Sequence, residues 1–389
     1  MRQSRTLTTL TAALAAGGLL VAGAAGASAD DTSGFGHHGT TSALADAWRG
    51  QHHQGHHGHK PGTPTAGTPV TAAEHLAGPL TFDIGRKSSL YVGQDFAGLL
   101  TLVQPGQAPT DLAAGPGIAA VSVNGDGAVT WAEREGDQSA VQASRLMRRA
   151  PDGTISQVVD LLAYEQAANP DGAVTYGFTD VTPECAATLP PGLAPYSGAV
   201  DSHGYGSVTV GKVTYVADAG ANALLAVGRH GDVRTVAVLP PAVVQVTAEI
   251  AAGFGLDPCV VGHPFSLEPV PTDVERGPDG KLYVSSLPGG PEDGSLGSIG
   301  SVYRIDPRTG TVTLLATGLS GATGLAVRDD GTVFVAELYA NEVSSISRKG
   351  VVSTFLALNQ PAGVEWSNGT VYVSTDVFGD GKVVAVPVS

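Results

Sequence analysis

One pattern constrains this chain more than any other: a β-hairpin written six times. In "GATGLAVRDDGTVFVAE" (321–337) apolar residues alternate through Leu325 and Val327, the chain turns at Asp330-Gly331, and the alternation resumes at Val333 and Val335 before ending on Glu337. The same shape recurs in "PAGVEWSNGTVYVST" (361–375), "PTDVERGPDGKLYVSS" (271–286), "GYGSVTVGKVTYVAD" (204–218), "GIAAVSVNGDGAVTWAE" (117–133) and "GPLTFDIGRKSSLYVGQ" (78–94). Asp-Gly and Asn-Gly between alternating runs signal hairpins, because these residues tolerate the positive φ that the tightest turns demand.

Each of the first five copies is followed by two further strand-like runs around a second turn. After Glu337 come "EVSSIS", a turn at Arg348-Lys349-Gly350, and "VVSTFLA"; after the fourth copy come "SVYRI", a turn from Asp306-Pro307 to Gly310, and "TVTLLATGL". The unit is a four-stranded antiparallel meander, A to D. Gly324 and Gly363 stand 39 residues apart in the last two units. Meanders at that period are the signature of a β-propeller. The last unit stops at its strand C, "KVVAVPVS", while "VTAAEHLAG" (70–78) resembles the D runs. The expected fold is all-β: a six-bladed β-propeller over 70–389 with four-stranded antiparallel blades, its last blade closed by the N-terminal strand.

Ahead of this lie two segments of different character. Residues 1–29 read as a signal peptide, with Arg2 and Arg5, an apolar run from Leu10 to Ala25, and Ala27-Ser28-Ala29 as a cleavage signal. No later run is long enough to span a bilayer, and no cysteine offers a lipid anchor at the cleavage site. A secreted, extracellular, monomeric protein without a membrane anchor is expected. Residues 30–69 are a His/Gly/Pro-rich leader, too poor in apolar residues to offset the entropy of ordering, and therefore expected to be disordered. His37, His38, His52, His53, His56, His57 and His59 all fall here. They serve as a solvated linker or as an adventitious site for zinc, copper or nickel. The formal charge is −15, and removal of the signal peptide makes it more negative still. That balance disfavours phosphate backbones, so no nucleic-acid partner is expected.

In a propeller the D–A and B–C loops emerge on one face, the A–B and C–D turns on the other. The long insertions, 165–200 (D–A), 242–270 (D–A) and 287–300 (B–C), all fall on the first face, and a scaffold with one elaborated face carries its function there. Cys185 and Cys259 lie in the first two insertions. In an oxidising compartment a disulfide tying the two loops is the default, against a pair of reactive thiols.

Aligned units put Glu337 in a column with Gln94, Glu133, Asp218, Ser286 and Thr375, at the B–C exit. Asn222 and Asn341 follow Asp218 and Glu337 by four residues. Such pairs bond the backbone of their own turn. The functional alternative adds Asp273, which occupies the inner-strand position of Gly324 and Gly363. Asp273, Glu337, Asp218 and Glu133 would then ring the axial channel as ligands for Ca²⁺ or another divalent cation, which takes about six to eight oxygens, or as an acid and base pair. His203, at the start of the third blade, is a further loop-facing candidate, against simple solvation. Glu365, beside Trp366, breaks the apolar pattern of the sixth A strand, as a partly exposed strand edge would.

"GLAVRDDGTVFVAELYANEV" and "TYVADAGANALLAV" resemble the NHL-type propeller repeat. The block 268–310, with "LLAYEQAANPDG" (161–172), "ADAGANALL" and the placement of both cysteines, resembles the ScyD/ScyE family of secreted six-bladed propellers across 79–389. That resemblance implies an exported propeller of undefined activity. The related SMP-30/gluconolactonase propellers imply metal-dependent lactonase chemistry, with a ring-opening glutamate in E-G-P and an asparagine before an inner-strand glycine. Here Ala77-Gly78-Pro79 stands at the first place and Thr272, Thr323 and Ala362 at the second, which counts against that chemistry. Two functions are therefore carried forward. One is a module binding a small molecule, extracellular protein or polysaccharide on the elaborated face, without catalysis; the other is a divalent-cation-dependent hydrolase or lyase at the channel.

Overall fold

The computed structural model describes residues 63–389, apart from 138–139, 191 and 292–294. The expected signal peptide, all seven leader histidines and most of the leader lie outside the described residues. Within them the six hairpins and their following strands form six four-stranded antiparallel sheets. Blade 1 comprises Pro79–Ile84, Leu90–Gln94, Leu99–Val103 and Thr110–Ala114; blade 2, Ala119–Val123, Val129–Asp137, Ala140–Arg149 and Ile155–Asp160. Blade 3 comprises Gly204–Val210, Val213–Asp218, Ala223–Gly228 and Val233–Val238; blade 4, Pro271–Arg276, Leu282–Ser286, Gly300–Ile305 and Val312–Leu319. Blade 5 comprises Ala322–Val327, Val333–Glu337, Glu342–Ile346 and Val352–Ala357; blade 6, Val364–Ser367, Thr370–Thr375, Gly381–Pro387 and, as strand D, Val70–Leu76.

Each A strand packs against the A strand of the next blade, including blade 6 against blade 1, so the ring closes. The period-2 alternation gives every blade two apolar faces, and each face is buried by a neighbour. Between blades 4 and 5, Val302 and Leu319 meet Leu325, Val333 and Val335; between blades 5 and 6, Phe334 and Val343 meet Val371, Val373 and Val384. Burying one such side chain fully contributes about 1.5–3 kcal/mol. Closure is made by Val70 opposite Ala385 and Ala73 opposite Val383, with Ala73 and Leu76 buried. Pairing runs back into the segment read as leader: Thr65 N–H donates to the Ser389 carbonyl (3.0 Å) and Gly67 N–H to that of Pro387 (2.8 Å).

The two D–A insertions fold into one cap. The first contains helix Leu161–Ala168, N-capped by the Asp160 carboxylate on Ala163 N–H (2.8 Å), a hairpin of Thr175–Tyr176 with Tyr196–Ser197, and the short helix Pro183–Ala186. The second contains a hairpin of Ala242–Gln245 with Pro264–Leu267 and helix Ala248–Gly253 between its arms. Gly177 pairs with Ser266 across the two insertions. The expected disulfide, Cys185–Cys259, joins them with Cα atoms 5.9 Å apart. Phe178, Leu193, Val246 and Val260 bury themselves around it. The helices of the cap had no counterpart in the repeat-based reading.

Candidate functional site

The polar column at the B–C exits holds loops in place. Gln94 Oε1 accepts from Ala77 N–H (2.8 Å), Asp218 Oδ1 from His203 N–H (2.7 Å) and Glu337 Oε2 from Ser320 N–H (2.7 Å). Ser286 and Thr375 instead donate their hydroxyls to the carbonyls of Pro269 and Asn359. In each case the partner lies in the loop leading into the same blade. Asn222 and Asn341 adopt left-handed backbone, φ 50° and 56°. Their side-chain oxygens accept from Val270 N–H (3.0 Å) and Gln360 N–H (2.9 Å), in the loops leading to the next blade. Buried amides without such acceptors would be costly, which explains the column without chemistry. Glu133 accepts from the indole N–H of Trp131 (3.0 Å). Asp218, Glu337 and Glu133 thus stay at their own blades, none in hydrogen-bond contact with Asp273. Among the described residues no three His, Cys, Asp or Glu side chains are grouped so as to hold a metal ion.

Asp273 does reach the axial channel, in different company. A cavity of about 10 Å³ lies between the A strands, among Thr81, Val121, Gly206, Asp273, Gly324 and Gly363, room for about one water. Asp83, Glu275 and Glu365 occupy one register position of blades 1, 4 and 6, opposite Tyr91, Tyr283 and Tyr372. Asp273 precedes Glu275 by two residues and shares its face of the strand. Glu365, read from sequence as a partly exposed strand edge, is half-buried and lines the channel cavity. The inner edge of an A strand has no further strand to pair with, so its amides need side-chain acceptors. Asp83 takes Val123 N–H (2.5 Å), Ser122 Oγ takes Thr209 N–H (2.8 Å) and Asp273 takes Leu325 N–H (2.8 Å), each in the following blade. Burial raises Asp83 to about 6 and Asp273 to about 7 despite these bonds. Glu275 and Glu365 are also pushed well above the ordinary carboxylate range, by burial first and then by the neighbouring carboxylates.

A second acidic cluster, absent from the sequence reading apart from Asp218, fastens the cap to blade 3. Glu165 and Asp171 come from the first insertion, Asp201 from its end and Glu268 from the second. Asn222 Nδ2 donates to Asp171 (2.9 Å) and Glu268 (3.1 Å), and Tyr176 donates to Asp171 (3.0 Å). Glu165 accepts from Ser202 N–H (2.5 Å), and the Ser202 hydroxyl donates to Asp218 (2.7 Å). Burial, then the charges of Asp218 and Asp201, raise Glu165 to about 9; burial, then Glu268, raises Asp201 to about 7. Burial and its acidic neighbours thus favour the protonated form of Glu165. His203, the loop-facing candidate, is half-buried. Burial, reinforced by the positive charge of Arg134, lowers its imidazole to about 3, and the ring packs edge-on against Tyr205 (5.6 Å).

The three insertions also enclose an apolar notch lined by Phe178, Val246, Phe254, Leu256, Phe265 and Leu296. Elsewhere in these insertions Val200, Val243 and Val261 are exposed. On the same face, in the B–C loops of blades 1 and 6, Phe96 and Phe378 stack with centroids 6.2 Å apart while remaining about two-fifths exposed (41% and 43%).

Ring, closure and faces define the chain as a six-bladed β-propeller. Among solved structures it is similar to the PQQ-bound aldose sugar dehydrogenase of Streptomyces coelicolor, at 13% identity and TM-score 0.53, over 85% of this chain and 99% of that one. It is also similar to a protein of Thermus thermophilus described as an oxidoreductase (glucose dehydrogenase), at 15% identity and TM-score 0.52, over 82% and 99%. A virginiamycin B lyase of Staphylococcus aureus matches at 13% identity and TM-score 0.46, over 84% and 99%. At these identities the likeness is one of fold. No protein-family profile matches the chain, and no characterised protein matches it in sequence.

Proposed function

We propose that this protein is an exported binding propeller whose elaborated face docks an extracellular protein partner, an apolar side chain of that partner entering the cap notch. The observation that carries this reading is the convergence of all three insertions on one apolar notch, held by a disulfide and a buried acid cluster. Exposed valines and stacked phenylalanines on the same face extend it, since clustered exposed apolar and aromatic side chains mark interaction surfaces. Export suits the disulfide, and among the described residues no helix is long and apolar enough to cross a membrane. The ScyD/ScyE resemblance belongs to the same reading. The hydrolase or lyase alternative has less to support it, because Asp218 Oδ1 and Glu337 Oε2 accept from loop amides at their own blades.

The test is titration with 8-anilinonaphthalene-1-sulfonate, displaced by N-acetyl-leucinamide. Wild type is expected to give saturable, displaceable emission, and Phe254→Asp to lose it while keeping the wild-type circular dichroism spectrum. Equal emission from both proteins would overturn the assignment of the notch.

A further inference from the structure

On the opposite, tight-turn face, a groove of about 650 Å³ runs between blades 4 and 5, within the range of about 300–1,000 Å³ that holds small molecules. Its walls are the A–B turn of blade 4 at Asp279, strand C at Arg304, the start of strand D at Leu314, and the C–D turn of blade 5 at Arg348 and Lys349. In a chain of 36 acidic and 21 basic residues, three cations meet here around a single carboxylate.

That carboxylate is already engaged. Asp279 Oδ2 accepts from Arg304 Nε (2.7 Å) and the Tyr283 hydroxyl (3.2 Å), and its acid is held below the ordinary value; burial opposes this, while the Lys281 amide and Arg304 overcome it. Arg304 and Asp279 therefore cancel each other. Arg348 donates Nε to the Asp330 carbonyl. Gly331 makes room for this: its φ is +82°, and a Cβ there would stand 2.7 Å from Arg348 Nε. Gly350 (φ +79°) lets the C–D turn lie directly on strand D of blade 4, where a Cβ would collide with the Leu315 carbonyl. The bond restricts the guanidinium before any ligand arrives, which removes part of the ordering cost of binding. Among the described residues neither Arg348 nor Lys349 forms an ion pair with a carboxylate. Beside them Leu314 is half exposed (53%).

We infer that this groove binds a small organic carboxylate, its anionic end on Arg348 and Lys349 and its apolar body on Leu314. A guanidinium held at Nε presents its terminal nitrogens as a planar fork that suits a carboxylate. The chain as a whole carries a formal charge of −15, so recognition depends on these two side chains rather than on a general positive field.

Isothermal calorimetry with sodium benzoate at low ionic strength, against benzyl alcohol and benzylammonium, tests the inference. Benzoate is expected to bind saturably and the two analogues not to. The double variant Arg348→Gln, Lys349→Gln changes only turn residues and should keep the wild-type melting temperature. It should weaken benzoate about tenfold or more, the size expected for lost hydrogen bonds to a charged group. Leu314→Ser should weaken benzoate but not acetate. No saturable heat from benzoate, equal binding by benzyl alcohol, or unchanged affinity in the double variant would each overturn the inference.

Discussion

Replacing Cys185 and Cys259 with serine removes a cross-link between residues 74 apart in sequence. The chain-entropy account gives a loop of this length a stabilisation of roughly 4 kcal/mol, because the link restricts the denatured chain more than the native one. The native cap has independent support. Phe178, Leu193, Val246 and Val260 are buried around the bridge, and Gly177 still pairs with Ser266. The ring should therefore stay folded in the variant, with the loss appearing in the unfolding equilibrium. Urea denaturation followed by tryptophan fluorescence reports it, since buried Trp131 sits in blade 2 and Trp366 in blade 6. The expected change is about 4 kcal/mol in unfolding free energy, with new protease cuts confined to the two D–A insertions. A change below about 1 kcal/mol, at the bottom of the range seen for disulfides, with an unaltered cleavage pattern, would refute the reasoning.

Three further perturbations follow from the acid clusters and the closing strand. Glu165 is raised from an ordinary 4.5 to about 9. Its contribution is fully present below pH 4.5 and is lost as the pH rises towards 9. Glu165→Gln should flatten the fall in urea midpoint between about pH 5 and pH 9, and an unchanged pH profile would show that the group does not titrate there. At Asp273, alanine leaves the Leu325 amide without its acceptor, at a cost of about 1–3 kcal/mol, whereas asparagine keeps an acceptor and removes a charge from the channel. Melting at about pH 8, above the raised Asp273 value, should rank Asp273→Asn at or above wild type and Asp273→Ala below it. Leu76→Ala in the closing strand opens a cavity beside Phe82 and Val383 and should cost about 2–5 kcal/mol by chemical denaturation.

The ring was legible because its turns repeat. Asp-Gly and Asn-Gly fix where each hairpin reverses, and alternation fixes which side chains face a neighbouring blade. The axial acids were less visible, though a signal existed: Asp83, Glu275 and Glu365 each lie opposite a tyrosine of their B strand, a column seen once the hairpins are stacked by register. The inner-strand column did point to Asp273, but the B–C exits directed attention to Glu337, whose oxygen turns out to hold the Ser320 amide. The cluster at Glu165, Asp171, Asp201 and Glu268 could not be read this way. Those residues lie in insertions with no repeat to align, and only the folded cap brings them together around Asn222.

Closure of blade 6 has a consequence for how the molecule is born. Strand Val70–Leu76 is among the first parts of the ring to leave the ribosome, yet its partner, Gly381–Pro387, is among the last. Blades 1 to 5 can each pair from neighbouring sequence, but the seam must wait for nearly the whole chain. So distant a pairing is slow to form, because loop closure must occur before its contacts stabilise it. Until then blades 1 and 6 each present an unpaired flank. A chain interrupted before residue 381 would remain an open arc, and that arc, rather than any single blade, is the species exposed to proteases and to mispairing with another copy.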